Sequence, residues 1–463
     1  VLASLIVLGS TGLIIGLDAR SAAPVPPGAP TAPVLALATP PTVAPGGGAS
    51  APPGVVAPSP TVAASPSAPG AGAVPATAAR PAATPILLGE LLVGPGGFAT
   101  IGGALAVAAP GATIRIAAGV YREQVDIAVP VTLLPVGDGP VWIDAECKRP
   151  NGVRIAAADV TVRGLGVRNS IDAGVLIDGQ QRGAAVARAT VAQLTVQDFD
   201  CLNQGPQFRA GIAAWYAGPG QRVVNNTIIR RVDLPGGLVG GKSNGIWFRS
   251  NTNHPSGGGH YIAGNTVQGG YDGIGGEKED DPRGGFDRDT IIEQNAISDC
   301  FDDGISVEGG TQNVRVRGNT ITRCAIGLAN APNLTGPVYF EENTITDGRP
   351  GDHQTVQCFK IGDRGHGVAY YTGNRCQLGP GANGWGQSNP GVNPIGARDN
   401  IIQVGRYVIE IGSAVEEGTS FDGNCLVTTD PERYITWGGV RYADLVAFRR
   451  ATGQEGRGVA ACP

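Results

Sequence analysis

The stretch Asp302–Ile321, DDGISVEGGTQNVRVRGNTI, contains the repeating pattern that decides the fold. A short strand follows a glycine (GISVE), a second strand alternates apolar and charged residues (VRVR), and an asparagine precedes a third short strand (NTI). The last two parts recur as VVNNTI, YIAGNTV, IIEQNAI, VYFEENTI and AYYTGNRC. Short β-branched runs between turn residues indicate strands, and their regular recurrence indicates a repeat protein.

One residue marks the corner of each repeat, and successive corners are 24 to 39 residues apart. The corners are Leu165, Leu194, Asn226, Asn265, Asn295, Asn319, Asn343, Asn374, Asn400 and Asn424. A minimum of 24 residues suits a parallel β-helix with three short strands per rung, in which longer spacings are loops. Because Asn tolerates left-handed backbone and stacked Asn side chains bond to one another, we predict an asparagine ladder along this corner.

The composition excludes several classes of protein. With 73 glycines and only 16% charged residues, the chain does not resemble a helix bundle or a coiled coil. The charge balance of 34 basic and 39 acidic residues provides no positive field, so we expect no nucleic-acid partner.

The N-terminal part differs from the rest. Residues 1–17 are apolar and uncharged, and small residues follow, so we expect 1–21 to be a signal peptide or, alternatively, a membrane anchor. Residues 22–85 contain 17 prolines and one charged residue. We therefore expect 22–86 to be a disordered Pro/Ala-rich linker and 87–463 to be the folded domain of a secreted or cell-surface protein.

The eight cysteines support export, because an even number in an exported chain suggests disulfides. Cys300 and Cys324 each follow a corner asparagine by five residues, so they occupy the same site on adjacent rungs and suit a disulfide. Further pairs are Cys358–Cys376 and Cys425–Cys462, which are plausible neighbours, and Cys147–Cys201, which is left by elimination.

Two segments resemble secreted pectin-lyase-like proteins. VGPGGFATIGGALAVAAPGATIRIAAGVYREQV, with VTLLP and VWIDA after it, is similar to their N-terminal cap and first rungs, and Asp302–Ile321 is similar to their repeated rung. The resemblance covers about residues 90–430. It implies an all-β fold, a single-stranded right-handed parallel β-helix, and a superfamily that includes lyases, glycoside hydrolases, epimerases, esterases and non-catalytic surface proteins.

Alternation along the glycine-led strands predicts which side chains face outward. One predicted outward column contains Trp247, Gly275, Ser306, Leu328, Lys360 and Glu410. The other contains Asp178, Trp215, Arg249, Glu277, Glu308 and Asn330. From these columns we predict that Trp215, Trp247, Arg249 and Asn330 bind substrate, since exposed Trp rings stack on sugars.

Polar residues concentrate between 242 and 308, where three interpretations compete. In the first, paired carboxylates hydrolyse a glycosidic bond. The candidate catalytic carboxylates are Glu277, Asp302, Asp303 and Glu308, and Lys360 is a further catalytic candidate, as the base of the second interpretation. In the second, Asp272, Glu277 and Asp303 bind Ca²⁺, and Lys360, Arg249 or Lys278 removes a proton in β-elimination or epimerisation. In the third, the carboxylates form a solvated face and the Asp-Gly pairs only make turns.

Asp272 in YDGI and the pair in FDDGI resemble the first two catalytic motifs of polygalacturonase-like hydrolases. A GHG follows only at Gly365–Gly367, on a later rung, and no RIK is present. These departures disfavour a galacturonan hydrolase. From the acidic cluster we expect a carbohydrate-active enzyme whose partner is an extracellular polysaccharide, with Ca²⁺ as a candidate cofactor. The alternative is a non-catalytic polysaccharide-binding or cell-surface protein.

Overall fold

The computed structural model describes residues 88–180, 186–204, 209–230, 242–251, 253–276, 284–351 and 355–462. Contacts divide the chain into Val1–Arg80 and Pro81–Pro463, and every described residue belongs to the second unit. The predicted signal peptide or anchor (1–21) and the predicted linker (22–86) lie outside the described residues. Over the described ranges, no helix is both long and apolar enough to cross a membrane.

The strands form three columns of parallel neighbours that coil around one core, as expected for a parallel β-helix. The first column, before each corner, contains β6 (Thr161–Arg163), β9 (Thr190–Ala192), β12 (Arg222–Val224), β15 (Tyr261–Ala263), β18 (Ile291–Glu293), β21 (Val314–Arg317), β24 (Val338–Glu341), β27 (Ala369–Thr372), β30 (Ile395–Arg398) and β33 (Ser420–Asp422). The second column, after each corner, contains β7 (Gly166–Arg168), β10 (Thr195–Gln197), β13 (Thr227–Ile229), β16 (Thr266–Gln268), β19 (Ala296–Ser298), β22 (Thr320–Thr322), β25 (Thr344–Thr346), β28 (Arg375–Gln377), β31 (Ile401–Val404) and β34 (Cys425–Thr428).

The third column consists of the glycine-led strands and positions the candidate site. It contains β3 (Val125–Ile127), β5 (Asn151–Ile155), β8 (Ala173–Asp178), β11 (Ala210–Trp215), β14 (Asn244–Arg249), β17 (Ile274–Gly276), β20 (Asp303–Ser306), β23 (Ile326–Ala329), β26 (Gln357–Ile361), β29 (Asn383–Gln387), β32 (Ile409–Ile411) and β35 (Ile435–Trp437). The prediction of three short strands per rung is confirmed.

Longer elements close the two ends. At the N-terminal end, β1 (Leu88–Val93), β2 (Ala108–Tyr121) and β4 (Val131–Asp144) pair in parallel, and helix α1 (Ile101–Leu105) covers the core. At the C-terminal end, β36 (Val440–Tyr442) pairs antiparallel with β35, and helix α2 (Leu445–Thr452) buries Phe448 against the core. Both ends of the apolar core are thereby covered, which a solenoid requires.

The glycine that leads most third-column strands is required by close packing. A Cβ on Gly245 would lie 2.3 Å from a methyl of Val267, and a Cβ on Gly273 would lie 2.4 Å from Ile297. These isoleucines and valines are the inward residues of the second column, so the third column can approach them only where no side chain intervenes.

Inward residues of the third column stack from rung to rung. Ile305 pairs with Leu328, and Leu328 pairs with Phe359, all fully buried. The prediction that Leu328 faces outward is therefore wrong, because Leu328 follows Gly327 as Ile305 follows Gly304, and alternation turns both inward. Ala329 takes the outward place between Ser306 and Lys360.

The predicted asparagine ladder is present and runs from Asn226 to Asn424. The left-handed backbone expected of the corner asparagine lies instead at the residue before it, as at Gln294 and Gly318. From Asn265 onward, each Oδ1 accepts hydrogen bonds from the side-chain Nδ2 and the backbone N–H of the preceding Asn; for Asn295 and Asn319 the distances are 2.9 and 3.0 Å. The Oδ1 of Asn226 accepts from the backbone N–H of Leu194. The same pair of bonds joins the other members. The ladder ends on Glu455, whose carboxylate accepts from the Nδ2 of Asn424 at 2.6 Å.

All four predicted disulfides are confirmed. Cα–Cα distances are 4.4 Å for Cys300–Cys324, 6.0 Å for Cys358–Cys376, 5.5 Å for Cys425–Cys462 and 6.0 Å for Cys147–Cys201. The Cys425–Cys462 bond ties the C-terminal segment after α2 to the last rung of the second column.

Candidate functional site

The candidate site lies where third-column strands begin. Asp272 directly precedes Gly273 and strand β17, and Asp302 and Asp303 precede Gly304 at the start of β20. The backbone N–H of Asp303 donates to Oδ1 of Asp272 at 3.1 Å, and the N–H of Asp272 donates to Oδ1 of Asn244 at 2.9 Å. A second ladder of polar side chains therefore follows the entrance of three successive rungs.

The three aspartates of this entrance form one cluster. Carboxylate oxygens of Asp272, Asp302 and Asp303 all lie within 4.8 Å of one another. Their exposed fractions are 2%, 7% and 2%, which means that three acidic groups share a site with little water. Three negative charges at this spacing are unfavourable in a protein interior, so a proton or a cation is required.

Lys360 supplies part of that compensation from two rungs away. Its Nζ lies 2.9 Å from Oε1 of Glu308 and 3.2 Å from Oδ2 of Asp303. The side chains of all three residues are at most 5% exposed. Ala329, the outward residue on the intervening rung, has only a methyl group, so Lys360 can extend across it.

Glu308 is held by further donors. The hydroxyl of Ser306 donates to its Oε2 at 3.3 Å, and the N–H of Ala331 donates to its Oε1 at 3.3 Å. Glu308 and Asp303 thus both contact the ammonium of Lys360, which links the two rungs electrostatically.

The environment raises the pKa of two groups in the cluster, Asp272 and Lys360. Burial, and then the neighbouring Asp303 and Asp302, raise the pKa of Asp272 well above its usual value. Burial would lower the pKa of Lys360, but Asp303, Glu308 and Asp302 outweigh it and raise that pKa. The cluster therefore combines a carboxyl group whose pKa is raised with two acidic side chains that contact the ammonium of Lys360.

The structure brings together Asp302, Asp303, Glu308 and Lys360 from the predicted catalytic set. Glu277, predicted as catalytic and as a calcium ligand, lies outside the described residues. Of the predicted metal ligands, Asp272 and Asp303 lie in the cluster, and Asp302 is the third described member.

Among the predicted substrate-binding residues, Asn330 is corrected. The register that places Leu328 inward also turns Asn330 inward, where it is 3% exposed and lies beside the core residue Tyr371. Since Asn330 faces the core, it does not belong to the outward column.

Trp215 and Arg249 are register neighbours, as predicted, and Trp215 also pairs with Asp178. The guanidinium of Arg249 lies 5.2 Å from the ring of Tyr216 and 6.0 Å from that of Trp215. Their binding of substrate stays a prediction.

Trp247 points outward but is only 4% exposed, so the expectation of an exposed platform is wrong for this residue. Its ring leans over Gly275, where a Cβ would lie 2.7 Å from the indole, and it packs with Leu176 and Ala213.

The sequence reasoning missed Asn244 and Ser306 as partners of the acidic cluster. Asn244 precedes Gly245 just as Asp272 precedes Gly273. The residue before each strand-leading glycine is therefore the signal that would have found Asn244.

Comparison with known proteins supports the fold. Residues 151–379 match the family described as right-handed β-helix region. No curated protein matches the sequence at a significant level.

Similar solved structures include the PL6 family alginate lyase AlyGC, with 14% identity and a TM-score of 0.46 over 75% of this chain and 52% of that chain. The chain therefore spans about half the length of this alginate lyase. A family 28 exopolygalacturonase from Yersinia enterocolitica has 11% identity and a TM-score of 0.34 over 74% of this chain and 72% of that chain. PfbA, a surface adhesin of Streptococcus pneumoniae, has 10% identity and a TM-score of 0.35 over 72% of this chain and 85% of that chain.

Proposed function

We propose that this chain, a pectin-lyase-like right-handed parallel β-helix protein, is an exported glycoside hydrolase that acts on an extracellular polysaccharide at the Asp272 cluster. One observation carries the proposal: a buried carboxyl group with a raised pKa lies beside carboxylates of the adjacent rung. Glycoside hydrolysis requires this combination, since one carboxyl must donate a proton while another is ionised.

In this mechanism Asp272 is the general acid. It donates its proton to the glycosidic oxygen as the bond from that oxygen to the anomeric carbon breaks. Asp302, the most exposed of the three aspartates at 7%, accepts a proton from the water that attacks the anomeric carbon. After one reaction Asp272 has lost a proton and Asp302 has gained one. Proton exchange with solvent then returns both residues to their starting states.

Lys360 has a positioning role in this mechanism. It contacts Asp303 and Glu308, and its raised pKa keeps it protonated. A base must be unprotonated at the working pH, so the proton-abstracting role considered for Lys360 is disfavoured. Its ammonium instead holds the carboxyl group of Asp303 in place, and the charge of Asp303 contributes to the raised pKa of Asp272.

Calcium-assisted β-elimination or epimerisation of a uronate polymer is the second candidate. It is favoured by the oxygens of Asp272, Asp302 and Asp303 lying within 4.8 Å of one another, because Ca²⁺ takes oxygen ligands. These three residues would hold the ion, which would neutralise a uronate carboxylate. Bound Ca²⁺ requires ionised Asp272, whereas hydrolysis requires protonated Asp272. The same site therefore cannot carry out both reactions at once.

The test is depolymerisation by the full chain of neutral and acidic polysaccharides, with Ca²⁺ and with a chelator. Hydrolysis produces reducing ends without ultraviolet absorbance, whereas β-elimination produces both. We expect reducing ends alone, a loss of about 10²–10⁴-fold in Asp272→Asn, and a rate that falls as the pH rises through the pKa of Asp272.

The matched control is Asp138→Asn, which removes an exposed carboxylate from strand β4. Ultraviolet absorbance that is lost on adding chelator would refute hydrolysis and support calcium-assisted β-elimination. Full activity of Asp272→Asn would refute the assignment of the acid. Binding of polymer without cleavage or epimerisation would support the non-catalytic alternative.

A further inference from the structure

A second feature with the chemistry of a ligand site lies on the first column, away from the third-column strands that carry the Asp272 cluster. Tyr339, Tyr370, Gly396 and Ser420 are register neighbours on β24, β27, β30 and β33. They line an open groove of about 490 Å³, which is within the range of pockets for small organic ligands.

Two stacked tyrosines form one wall of this tyrosine groove. The ring centroids of Tyr339 and Tyr370 are 5.4 Å apart with an angle of 17° between the planes. The guanidinium of Arg315 lies 4.1 Å from the centroid of Tyr339. Arg315 and Tyr370 thus both contact the ring of Tyr339, whereas Tyr370 itself is 39% exposed.

The next rung provides the space beside Tyr370. Gly396 occupies the following register position, and the ring of Tyr370 leans toward it, such that a Cβ there would lie 2.7 Å from Cδ1. Any larger residue would push this ring away. The groove is therefore an aromatic surface beside a position without a side chain, which suits the flat apolar face of a pyranose ring.

The charges of the groove select the kind of sugar. Glu341 is neutralised by Arg315 at 2.9 Å, and Asp422, the register neighbour of Arg398, is bound by Arg457 at 2.8 Å. Arg398 lines the groove, is exposed and forms no ion pair within the part of the chain that the structure describes. The polar lining thus offers one uncompensated guanidinium, and Thr372 and Ser420 add hydroxyls.

We infer that the tyrosine groove binds an acidic saccharide, with a pyranose ring on Tyr370 and its carboxylate or sulfate on Arg398. Guanidinium groups bind carboxylates through paired hydrogen bonds. Such a site would hold a polymer against the solenoid at a second point. The inference does not depend on the proposed hydrolysis, since the groove shares no residue with the Asp272 cluster.

The experiment measures binding of tetragalacturonate and tetramannuronate, with cellotetraose as the neutral probe, by calorimetry. The full chain carries Asp302→Asn so that no turnover interferes. We expect Tyr370→Ala to weaken binding of an acidic probe about three- to tenfold. We expect Tyr370→Phe to retain it, and Arg398→Gln to weaken it about two- to fivefold with a reduced dependence on salt.

The matched control is Tyr261→Ala, an aromatic of the same column whose ring is covered by Arg222 at 4.7 Å. Equal affinity in Tyr370→Ala and the parent chain would overturn the inference, as would absence of binding by both acidic probes at millimolar concentration. Equal binding of cellotetraose, unaffected by Arg398→Gln, would overturn the selection for acidic sugars. Because the experiment measures binding and not cleavage, its outcome tests the tyrosine groove even if the hydrolase proposal is wrong.

Discussion

Replacing Glu455 by Gln should change how the stability of the protein depends on pH. Glu455 is fully buried and ends the asparagine ladder: its Oε1 accepts from Nδ2 of Asn424 at 2.6 Å and its Oε2 from the N–H of Asn424 at 3.1 Å. Burial is the main cause that raises the pKa of Glu455 to about 7 from the ordinary 4.5. The ladder thus ends on a carboxyl group that titrates near neutrality.

The sign and size of the effect follow from linkage. Between the ordinary pKa and the raised one, the folded protein keeps a proton that the unfolded chain releases. The free energy of unfolding therefore falls as the pH rises through this window. Between pH 5 and pH 8 the loss attributable to this one group is about 2.5 kcal/mol.

Gln is neutral at every pH and has the shape of Glu. A single amide oxygen can accept both donors of Asn424, as each Oδ1 of the ladder does for the preceding Asn. We therefore expect Glu455→Gln to gain about 2.5 kcal/mol relative to the parent chain on going from pH 5 to pH 8.

The assay is urea unfolding of both chains at several pH values, with refolding to establish reversibility. Taking the difference between the chains removes other titrations, including that of buried His260, whose pKa is lowered to about 3 and whose effect has the opposite sign. The control is Glu432→Gln, an exposed glutamate near the same end. A difference that stays constant from pH 5 to pH 8 would refute the reasoning.

Three further changes test the packing. Lys360→Met leaves two buried acidic side chains without their cation, so we expect the free energy of unfolding to fall by about 3–5 kcal/mol at pH 7 and by less in acid. An equal loss at pH 7 and in acid, measured by urea unfolding, would contradict this. Asn319→Ala removes an oxygen that accepts two bonds within the ladder, so calorimetric and urea unfolding should show a loss of about 3 kcal/mol or more. Gly273→Ala places a methyl 2.4 Å from Ile297, and we expect poor folding yield and a lowered Tm, whereas an unchanged Tm would show that the two columns can separate.

Much of the architecture was predictable because its causes are local and repeat. The spacing of Asn295, Asn319 and Asn343 by 24 residues predicted both the rung and the ladder, and the shared offset of Cys300 and Cys324 predicted their bond. A repeat converts equal sequence offsets into spatial neighbours, so these contacts need no knowledge of distant residues.

Part of the candidate site was predictable for the same reason. Asp272, Asp302 and Asp303 precede glycines that lead neighbouring strands, and this offset brought them together. Alternation from Gly327 also places Leu328 and Asn330 inward, so the sequence contained this information. The prediction that both face outward was wrong because it did not keep to that alternation.

The amino-acid sequence alone thus determined the solenoid, its ladder, its disulfide partners and the aspartate cluster. Only the tertiary structure decided that Lys360 reaches across Ala329 to Asp303, that Trp247 is buried, and that Tyr370 leans over Gly396. The physical reason is that side-chain reach and burial depend on the size of neighbours on other rungs. The size of these side chains varies from rung to rung, whereas the backbone spacing between rungs is constant.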